Sequence, residues 1–367
     1  MGNPGASAPS SYTVNYDALL STTLFAYRAK MVDNIFKSNA FLAALRQYDG
    51  IRYQDGGERI QELLMYEQND TFQSYKGYET LTVKPQDGIT SAFYEWSEIG
   101  GTISISRREE RQNSGDAAIL NLLQQKIKQA EMSIKAKVNQ QLLQGTVSAA
   151  TFVPGNDAKD LLPLGYFLRY APNTDPTTGG NVGNIAAATY DWWRPNVATL
   201  GGSAATGHKF GLAVTTYAGL KVGLHRLYNF TQRGGDGSAA NLVVCDQVTY
   251  ETYENALDQQ VRYTDQTLGD MGFTNIKCKG ATMVWDELVP DLYTGTTAIT
   301  TGTAFFLNTE FYKMVIDKQT DFITTPFVEP ENQTAKVAKV LFMGQTTVNN
   351  PRKLGVATRI SQSIVAV

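Results

Sequence analysis

The residue types most often used in catalysis are few and widely separated in this sequence. Its two histidines, His208 and His225, lie in different segments, and neither belongs to an HExxH metal-binding motif. Its two cysteines, Cys245 and Cys278, lack the CxxC spacing of thiolate zinc sites. Each cysteine lies in a strand-like run, which predicts buried free thiols; a single disulfide between them is the alternative. These residues predict no catalytic site, no cofactor and no metal.

Three acidic residues are the remaining candidates for a reaction centre. Asp258, Asp265 and Asp270 lie in "LDQQVRYTDQTLGDMGF", where their carboxylates could hold a metal ion for hydrolysis. The pattern favours scattered surface acids on a helix and a loop. A metal-dependent hydrolase that uses these three residues is the alternative from a different functional class.

Composition describes a globular protein with little net charge. Of the 367 residues, 42% are hydrophobic and 18% are charged, and the formal net charge is -3. This balance gives no electrostatic basis for sequence-specific nucleic-acid binding. No apolar run approaches the ~20 residues that span a bilayer, so we expect no membrane partner. The segment "MGNPGASAPSSYTVN" lacks the basic start and apolar core of a secretory signal, which predicts a flexible arm.

Helical spacing dominates two stretches of the first half of the chain. Residues 16–47 are predicted to be helical, with a break near Ser38 and Asn39. One long helix is predicted from Ser114, which can cap it, to the residue before Gly145. Its apolar stripe consists of Ile119, Leu123, Ile127, Ala130, Ile134, Val138 and Leu142.

The second half predicts an α+β arrangement. Residues 146–211 are rich in loop-forming residues, with an aromatic anchor at Trp192 and Trp193. Helix-like and strand-like runs alternate over residues 212–320. The tail carries two strand-like runs around an Asn-Asn-Pro turn, which we expect to rejoin a sheet begun earlier in the chain.

The segment "GYETLTVKPQDGITSAFYEWSE", residues 77–98, predicts an extended β-hairpin. Thr80 to Val83 and Ile89 to Phe93 would form its arms around a Pro85–Gly88 turn. An isolated hairpin is only marginally stable in water, so a ribbon with this much apolar surface must fold back on its own domain or lie across another chain. The residues predicted to contact a neighbouring subunit are Tyr78, Leu81, Val83, Pro85, Gly88, Ile89, Phe93, Tyr94 and Trp96.

Two features follow the hairpin. Gly100 and Gly101 allow a bend or bulge before "TISIS", whose alternation predicts that Ile103 and Ile105 are buried. A mixed-charge run then favours a solvated face, with inter-subunit contact as the functional alternative. That run consists of Arg107, Arg108, Glu109, Glu110 and Arg111.

Four stretches carry a family resemblance: "SYKGYETLTVKPQDGITSAFYEW", "NSGDAAILNLLQQKIKQAEMSIKAKVNQQLL", "GNIAAATYDWWRPN" and "FVEPENQTAKVAKVLFMGQTTVNNPRKLGV". With the order of elements, they resemble the major capsid proteins of tailed bacteriophages, which have the HK-ninety-seven fold. The resemblance implies five segments: an N-terminal arm with helices (1–50), peripheral strands with the extended hairpin or E-loop (51–111), the spine helix with peripheral loops (112–210), an axial α+β domain (211–320) and C-terminal strands returning to the periphery (321–367).

The resemblance also implies a function without turnover. The chain would self-assemble as hexamers and pentamers into an icosahedral shell around double-stranded DNA, held without sequence specificity. Implied further partners are a separate scaffolding protein, a portal and decoration proteins, and the implied location is the virion capsid, assembled in the host cytoplasm. An encapsulin-like nanocompartment shell is the alternative within the same fold. A phage decoration or adhesin protein, which would bind an existing shell, is a third.

Overall fold

The computed structural model describes residues 40–112, 122–144, 146–148, 151–153, 159–168, 181–187, 189–204, 208–234, 237–257, 276–289, 301–331, 334–361 and 364. The chain divides into two compact units. The first comprises residues 1–36, 99–136 and 322–342, and the second comprises residues 37–98, 137–321 and 343–367.

The elements alternate irregularly between helix and strand. The described helices are α1 Ala40–Gln47, α2 Arg107–Gln112, α3 Leu122–Leu143, α4 Leu164–Leu168, α5 Tyr217–Gln232 and α6 Gln247–Ala256, with 3₁₀ turns at Asp191–Trp193 and Pro351–Lys353. The strands of the first half are β1 Ile51–Gln54, β2 Ile60–Met65, β3 Ile89–Tyr94, β4 Ser97–Ser106, β5 Thr146–Ser148, β6 Thr151–Val153, β7 Asn181–Val182, β8 Ile185–Ala186 and β9 Asn196–Thr199. Those of the second half are β10 Phe210–Gly211, β11 Leu242–Cys245, β12 Ile276–Cys278, β13 Ala281–Trp285, β14 Thr301–Leu307, β15 Tyr312–Asp317, β16 Ile323–Thr324, β17 Ala335–Val348 and β18 Gly355–Ser361.

A seven-stranded mixed sheet forms the main layer of the second unit. Its strand order is β10-β9-β18-β14-β11-β13-β12. Helices α5 and α6 pack on it through a core that includes Leu220, Leu224, Val243, Tyr253 and Phe306, all buried. The N-cap of α5 is Thr216, whose hydroxyl accepts a hydrogen bond from the Gly219 amide at 3.2 Å, and this satisfies one of the free donors of the first turn.

Strand β17 contributes residues to both units. In the second unit, β1 lies parallel to β15, and β15 lies antiparallel to the Gly344–Val348 end of β17. In the first unit, β16 pairs with Val340 and Leu341 of the same strand. The two tail strands therefore join sheets begun earlier in the chain, as predicted, because β18 pairs with β9 and β14 in the other sheet.

Most predicted elements that fall on described residues are confirmed. The long helix is helical over Leu122–Leu143, whereas its predicted cap at Ser114 and its end at Gly145 lie outside the described residues. Only α1 is described of the helical region predicted for residues 16–47. Ile103 and Ile105 are buried, and Cys245 and Cys278 are buried free thiols. β4 runs through Gly100 and Gly101, so the bend or bulge predicted there does not interrupt the strand.

Of the two arms predicted for the hairpin, one is confirmed and one is wrong. Ile89 to Phe93 lie in β3. Thr80 to Val83 form no strand, and β3 pairs instead with β2, from Ile60 opposite Tyr94 to Met65 opposite Ile89. Residues 66–88 are the connection, closed at its base by the hydrogen bond from the Tyr66 amide to the Gly88 carbonyl. A strand requires a partner for its backbone groups, and β-branched residues next to a turn do not reveal whether that partner is near or distant in sequence.

A buried carboxylate connects three parts of the second unit. Asp286 follows β13 and accepts hydrogen bonds from the Phe41 amide, the Asn139 side chain and the Leu288 amide, at 3.0–3.1 Å. These donors lie at the start of α1, near the end of α3 and in the turn after β13. One acid therefore satisfies three buried donors, and removing it leaves all three without that partner.

The core also contains a hydroxyl with no hydrogen-bond partner among the described residues. The Tyr312 ring is fully buried and packs edge-on against Phe167, and its Oη has no such partner. A buried hydroxyl without a partner costs ~1–3 kcal/mol. We therefore expect Tyr312→Phe to leave the free energy of unfolding unchanged or to raise it, as measured by urea denaturation.

Tyr94→Phe is the matched control for that substitution. The Tyr94 hydroxyl is also buried, but it donates to the Val348 carbonyl at 2.7 Å. Its removal should lower the free energy of unfolding by ~1 kcal/mol. If Tyr312→Phe destabilises as much as Tyr94→Phe, the Tyr312 hydroxyl has a partner and this interpretation is wrong.

Candidate subunit-contact surface

The β2–β3 ladder fixes which side chains of the hairpin base face the core. Alternation along both strands places one set inward, namely Ile60, Leu64, Ala92 and Tyr94, all of which are buried. The other set faces outward and consists of Leu63, Met65, Ile89 and Phe93, all of which are exposed. The base of the hairpin is thus attached to its own chain by one face and presents an apolar face on the other side.

Tyr94 anchors the inward face. Its side chain is only 2% exposed, and its ring packs against Phe167 at 6.1 Å between centroids. Burial raises the pKa of the Tyr94 hydroxyl above its ordinary value. Gly183, with φ of 56°, approaches so closely that a Cβ there would lie 2.8 Å from the Ala92 Cβ, and its carbonyl accepts from the Phe93 amide. These contacts leave the position of β3 little freedom.

The connection 66–88 is exposed and apolar. Its large exposed hydrophobic side chains are Phe72, Tyr75, Tyr78, Leu81 and Val83. Tyr78 is 105% exposed and Val83 is 96% exposed, so neither packs on its own chain. The polar groups of the connection bond to one another instead, as in the hydrogen bond from Gln86 Nε2 to Asp70 Oδ1 at 2.7 Å.

The predicted hairpin residues therefore occupy three environments. Tyr78, Leu81, Val83, Pro85, Ile89 and Phe93 are exposed. Gly88 and Trp96 are half-buried, and Trp96 Nε1 donates to the Gly57 carbonyl at 2.8 Å. Tyr94 belongs to the core of its own chain.

Sequence reasoning missed four exposed residues of the same surface: Leu63, Met65, Phe72 and Tyr75. The alternation in "IQELLM", with Ile60 and Leu64 buried and Leu63 and Met65 exposed, is the signal that could have found the first two. Tyr66, at the end of this strand, stacks on Trp192 with 5.4 Å between ring centroids. A cavity of about 320 Å³ lies here, lined in part by Leu63, Met65 and Trp192.

The mixed-charge run forms helix α2. Its central acid, Glu109, accepts hydrogen bonds within the first unit. Glu109 accepts from Lys126 Nζ at 3.0 Å and from the Ser106 amide, while the Glu109 amide donates to the Ser106 hydroxyl. This reciprocal pair is a capping box, which explains why the helix begins here. Arg107, Arg108 and Arg111 are exposed. Nothing is described of the Glu110 side chain.

The candidate chemical groups do not assemble into a reaction centre in the part of the chain that the structure describes. No group of three or more His, Cys, Asp or Glu side chains is placed there to hold a metal ion. Asp258, Asp265 and Asp270 lie outside the described residues. His208 Nδ1 bonds to the Thr199 hydroxyl, and His225 Nε2 lies 3.4 Å from the Tyr253 hydroxyl, with burial lowering the His225 pKa. None of the described helices combines the length and apolarity needed to cross a bilayer.

Several solved structures that match this fold are capsid and shell proteins. A capsid protein of cyanophage A-1(L) matches with a TM-score of 0.65 and 15% identity, over 92% of this chain and 98% of the other. The capsid of Myoviridae phage XM1 matches with a TM-score of 0.55 and 13% identity, over 91% and 96%. The SrpI encapsulin of Synechococcus elongatus PCC 7942 matches with a TM-score of 0.53 and 9% identity, over 96% and 97%. No protein-family model and no curated protein matches the sequence. The chain therefore has the α+β fold of these phage capsid proteins over nearly its whole length.

Proposed function

We propose that this chain is a major capsid protein of a tailed bacteriophage. It self-assembles as hexamers and pentamers into the icosahedral shell that encloses double-stranded DNA. The observation that carries the proposal is the outward apolar surface of the hairpin, on a chain with the fold of phage capsid proteins. Its role is structural, without turnover of a substrate.

The hairpin acts as a clamp between subunits. Burying a large apolar side chain contributes ~1.5–3 kcal/mol, so Tyr78, Leu81 and Val83 together supply a contact that one chain alone does not form. Every subunit both gives a hairpin and receives one, and repeated contacts of moderate strength add up through avidity to a closed lattice. The proposed contact set consists of Tyr78, Leu81, Val83, Pro85, Gly88, Ile89, Phe93 and Trp96. Tyr94 lies in the core of its own chain, where its hydrogen bond holds β3 in place.

The remaining partners and the five-segment division are parts of the same proposal. A net charge of -3 suits a shell that holds packed DNA without binding it tightly. A separate scaffolding protein, a portal and decoration proteins complete the particle, which is assembled in the host cytoplasm. The arm, E-loop, spine, axial and C-terminal segments keep the boundaries given above.

An encapsulin-like nanocompartment is the second candidate, because the fold match to SrpI covers 96% of this chain. Such a shell would enclose protein cargo instead of DNA. The nature of the enclosed material in particles recovered from the native source decides between the two candidates.

Charge substitutions on the hairpin test the clamp. Tyr78→Asp combined with Val83→Asp should abolish assembly, because both side chains would carry a charge into an apolar contact. Sedimentation velocity should show subunits or small oligomers in place of shells. Gln73→Ala, in the same exposed connection, is the matched control and should assemble normally. Shells of unchanged yield from the double variant would contradict the clamp.

A further inference from the structure

A pocket in the second unit gathers positive charge in a chain that is acidic overall. Its volume is about 380 Å³, within the range of small-molecule sites. The charged and aromatic side chains that line it are Asp191, Arg194, Lys209, Phe230, Arg233 and Arg352. Four cations face one acid, whereas the whole chain carries 32 basic and 35 acidic residues.

The elements around the pocket hold its arginines in place. Arg233, just past the end of α5, lies over the Phe230 ring at 4.4 Å, and that ring stacks on Phe210. A guanidinium that rests on an aromatic face keeps the N–H donors of its edge available for an anion. Arg352 lies in the 3₁₀ turn Pro351–Lys353, and its carbonyl accepts from Asn196 Nδ2 at 2.5 Å.

A buried lysine also fixes the backbone next to the pocket. Lys353 is fully buried, and its Nζ donates to the Ser238 carbonyl at 2.9 Å and lies 3.5 Å from the Gln232 carbonyl. This contact ties the 3₁₀ turn to the end of α5. The backbone positions from which Arg233 and Arg352 project are therefore fixed by hydrogen bonds that do not involve their side chains.

The cations in the pocket are only partly neutralised. Arg194 pairs with Asp191 and donates from Nε to the Ala187 carbonyl. Within the described ranges, no ion pair involves Lys209, Arg233 or Arg352. Three like charges around one opening repel each other, and an anion of high charge would relieve that repulsion.

We propose that this pocket is a binding site for a phosphate group. Phosphate carries more charge than a single carboxylate and offers oxygens to several donors at once, which matches two arginines and a lysine around one opening. Arginine forks bind phosphate through pairs of N–H bonds, and Lys209 adds a point charge. The source of the group is either a free phosphate-bearing anion or the phosphate of a nucleic acid. The site is independent of the hairpin surface.

Calorimetric titration of the full chain with pyrophosphate, at constant ionic strength, tests the site. Wild type should bind saturably with one ion per chain. Arg352→Gln and Arg233→Gln should each weaken binding by roughly tenfold or more, since each removes charge-assisted hydrogen bonds. Arg226→Gln is the matched control and should bind as wild type does. Arg226 is an exposed arginine of α5 that stacks on Phe210 at 4.6 Å but does not line the pocket.

Two further measurements keep the test decisive. Arg352→Lys keeps the positive charge but removes the paired N–H donors of the guanidinium, so it should bind pyrophosphate with intermediate affinity. This variant replaces Arg352→Gln in the test if the glutamine variant does not fold. Oligonucleotides with and without a 5′-phosphate identify the source: dependence on the 5′-phosphate indicates a terminal phosphate, and equal binding of both indicates the backbone. No saturable pyrophosphate binding, equal affinity in all variants, or pocket-dependent binding of an acidic peptide alone would overturn the proposal.

Discussion

A chain in which residues 67–87 are replaced by Asn-Gly should fold and form no shells. The deletion removes the exposed connection but keeps β2 and β3, because the register opposes Met65 to Ile89 and Tyr66 bonds to Gly88. Tyr66 and Gly88, which already share a backbone hydrogen bond, would then flank a two-residue turn of the type that Asn-Gly favours in hairpins. The lost side chains, including Phe72, Tyr78 and Val83, make no core contact, so the melting temperature should change by only a few degrees.

The bounds of this deletion matter to its interpretation. A larger deletion that extended through β3 would also remove Tyr94 and its hydrogen bond to Val348, and loss of assembly could then follow from loss of folding. Circular dichroism and electron microscopy of the short deletion separate the two effects. A folded deletion variant that still builds shells of normal size would show that the hairpin is not the clamp.

Of the single substitutions proposed for the second unit, Asp286→Ala should be the most destabilising. It leaves the donors of Phe41, Asn139 and Leu288 buried without their acceptor, at a cost of ~3 kcal/mol or more. Denaturant unfolding measures this loss. Glu287→Ala, the exposed acid next in sequence, should stay within ~0.5 kcal/mol of wild type. A loss for Asp286→Ala no larger than that of Glu287→Ala would contradict the role given to this carboxylate.

The cost of Asp286→Ala should also depend on pH. Burial raises the pKa of Asp286 in the folded state, against the opposing hydrogen bonds from Leu288, Asn139 and Phe41. The folded state therefore keeps this proton to a higher pH than the unfolded state, in which the pKa of the aspartate is ~3.9. Wild type gains stability from this group as pH falls through that window, and the alanine variant does not. The difference in unfolding free energy between the two should grow from neutral pH toward pH ~4; a difference that shrinks would contradict the shift.

Local patterns predicted the elements better than they predicted the pairing of strands. Ile103 and Ile105 are buried because alternation within one strand is a local property, and the stripe of α3 is likewise local. The pairing of Ile60 with Tyr94 joins segments separated by an exposed connection, and no spacing within either segment reveals it. This is why the sequence predicts one arm at Thr80 to Val83, whereas β3 pairs with β2.

The same limit applies to polar groups that find distant partners. From the sequence, Glu109 is predicted to lie in a solvated charge run. In the structure, its side chain bonds to Lys126 and takes part in the capping box within the first unit. Arg194, Lys209, Arg233 and Arg352 come from four separate segments, and only folding brings them to one pocket. Sequence order identified the capsid fold, whereas the surfaces that would bind partners depend on tertiary pairing.

Electron microscopy of the purified 367-residue chain, with light scattering on the same sample, decides whether the chain builds shells. We expect closed icosahedral shells in which residues 66–88 of each subunit lie on a neighbouring subunit. A chain that remains monomeric both alone and when a scaffolding protein is supplied would contradict the proposed function. Shells in which the hairpin contacts only its own chain would contradict the clamp.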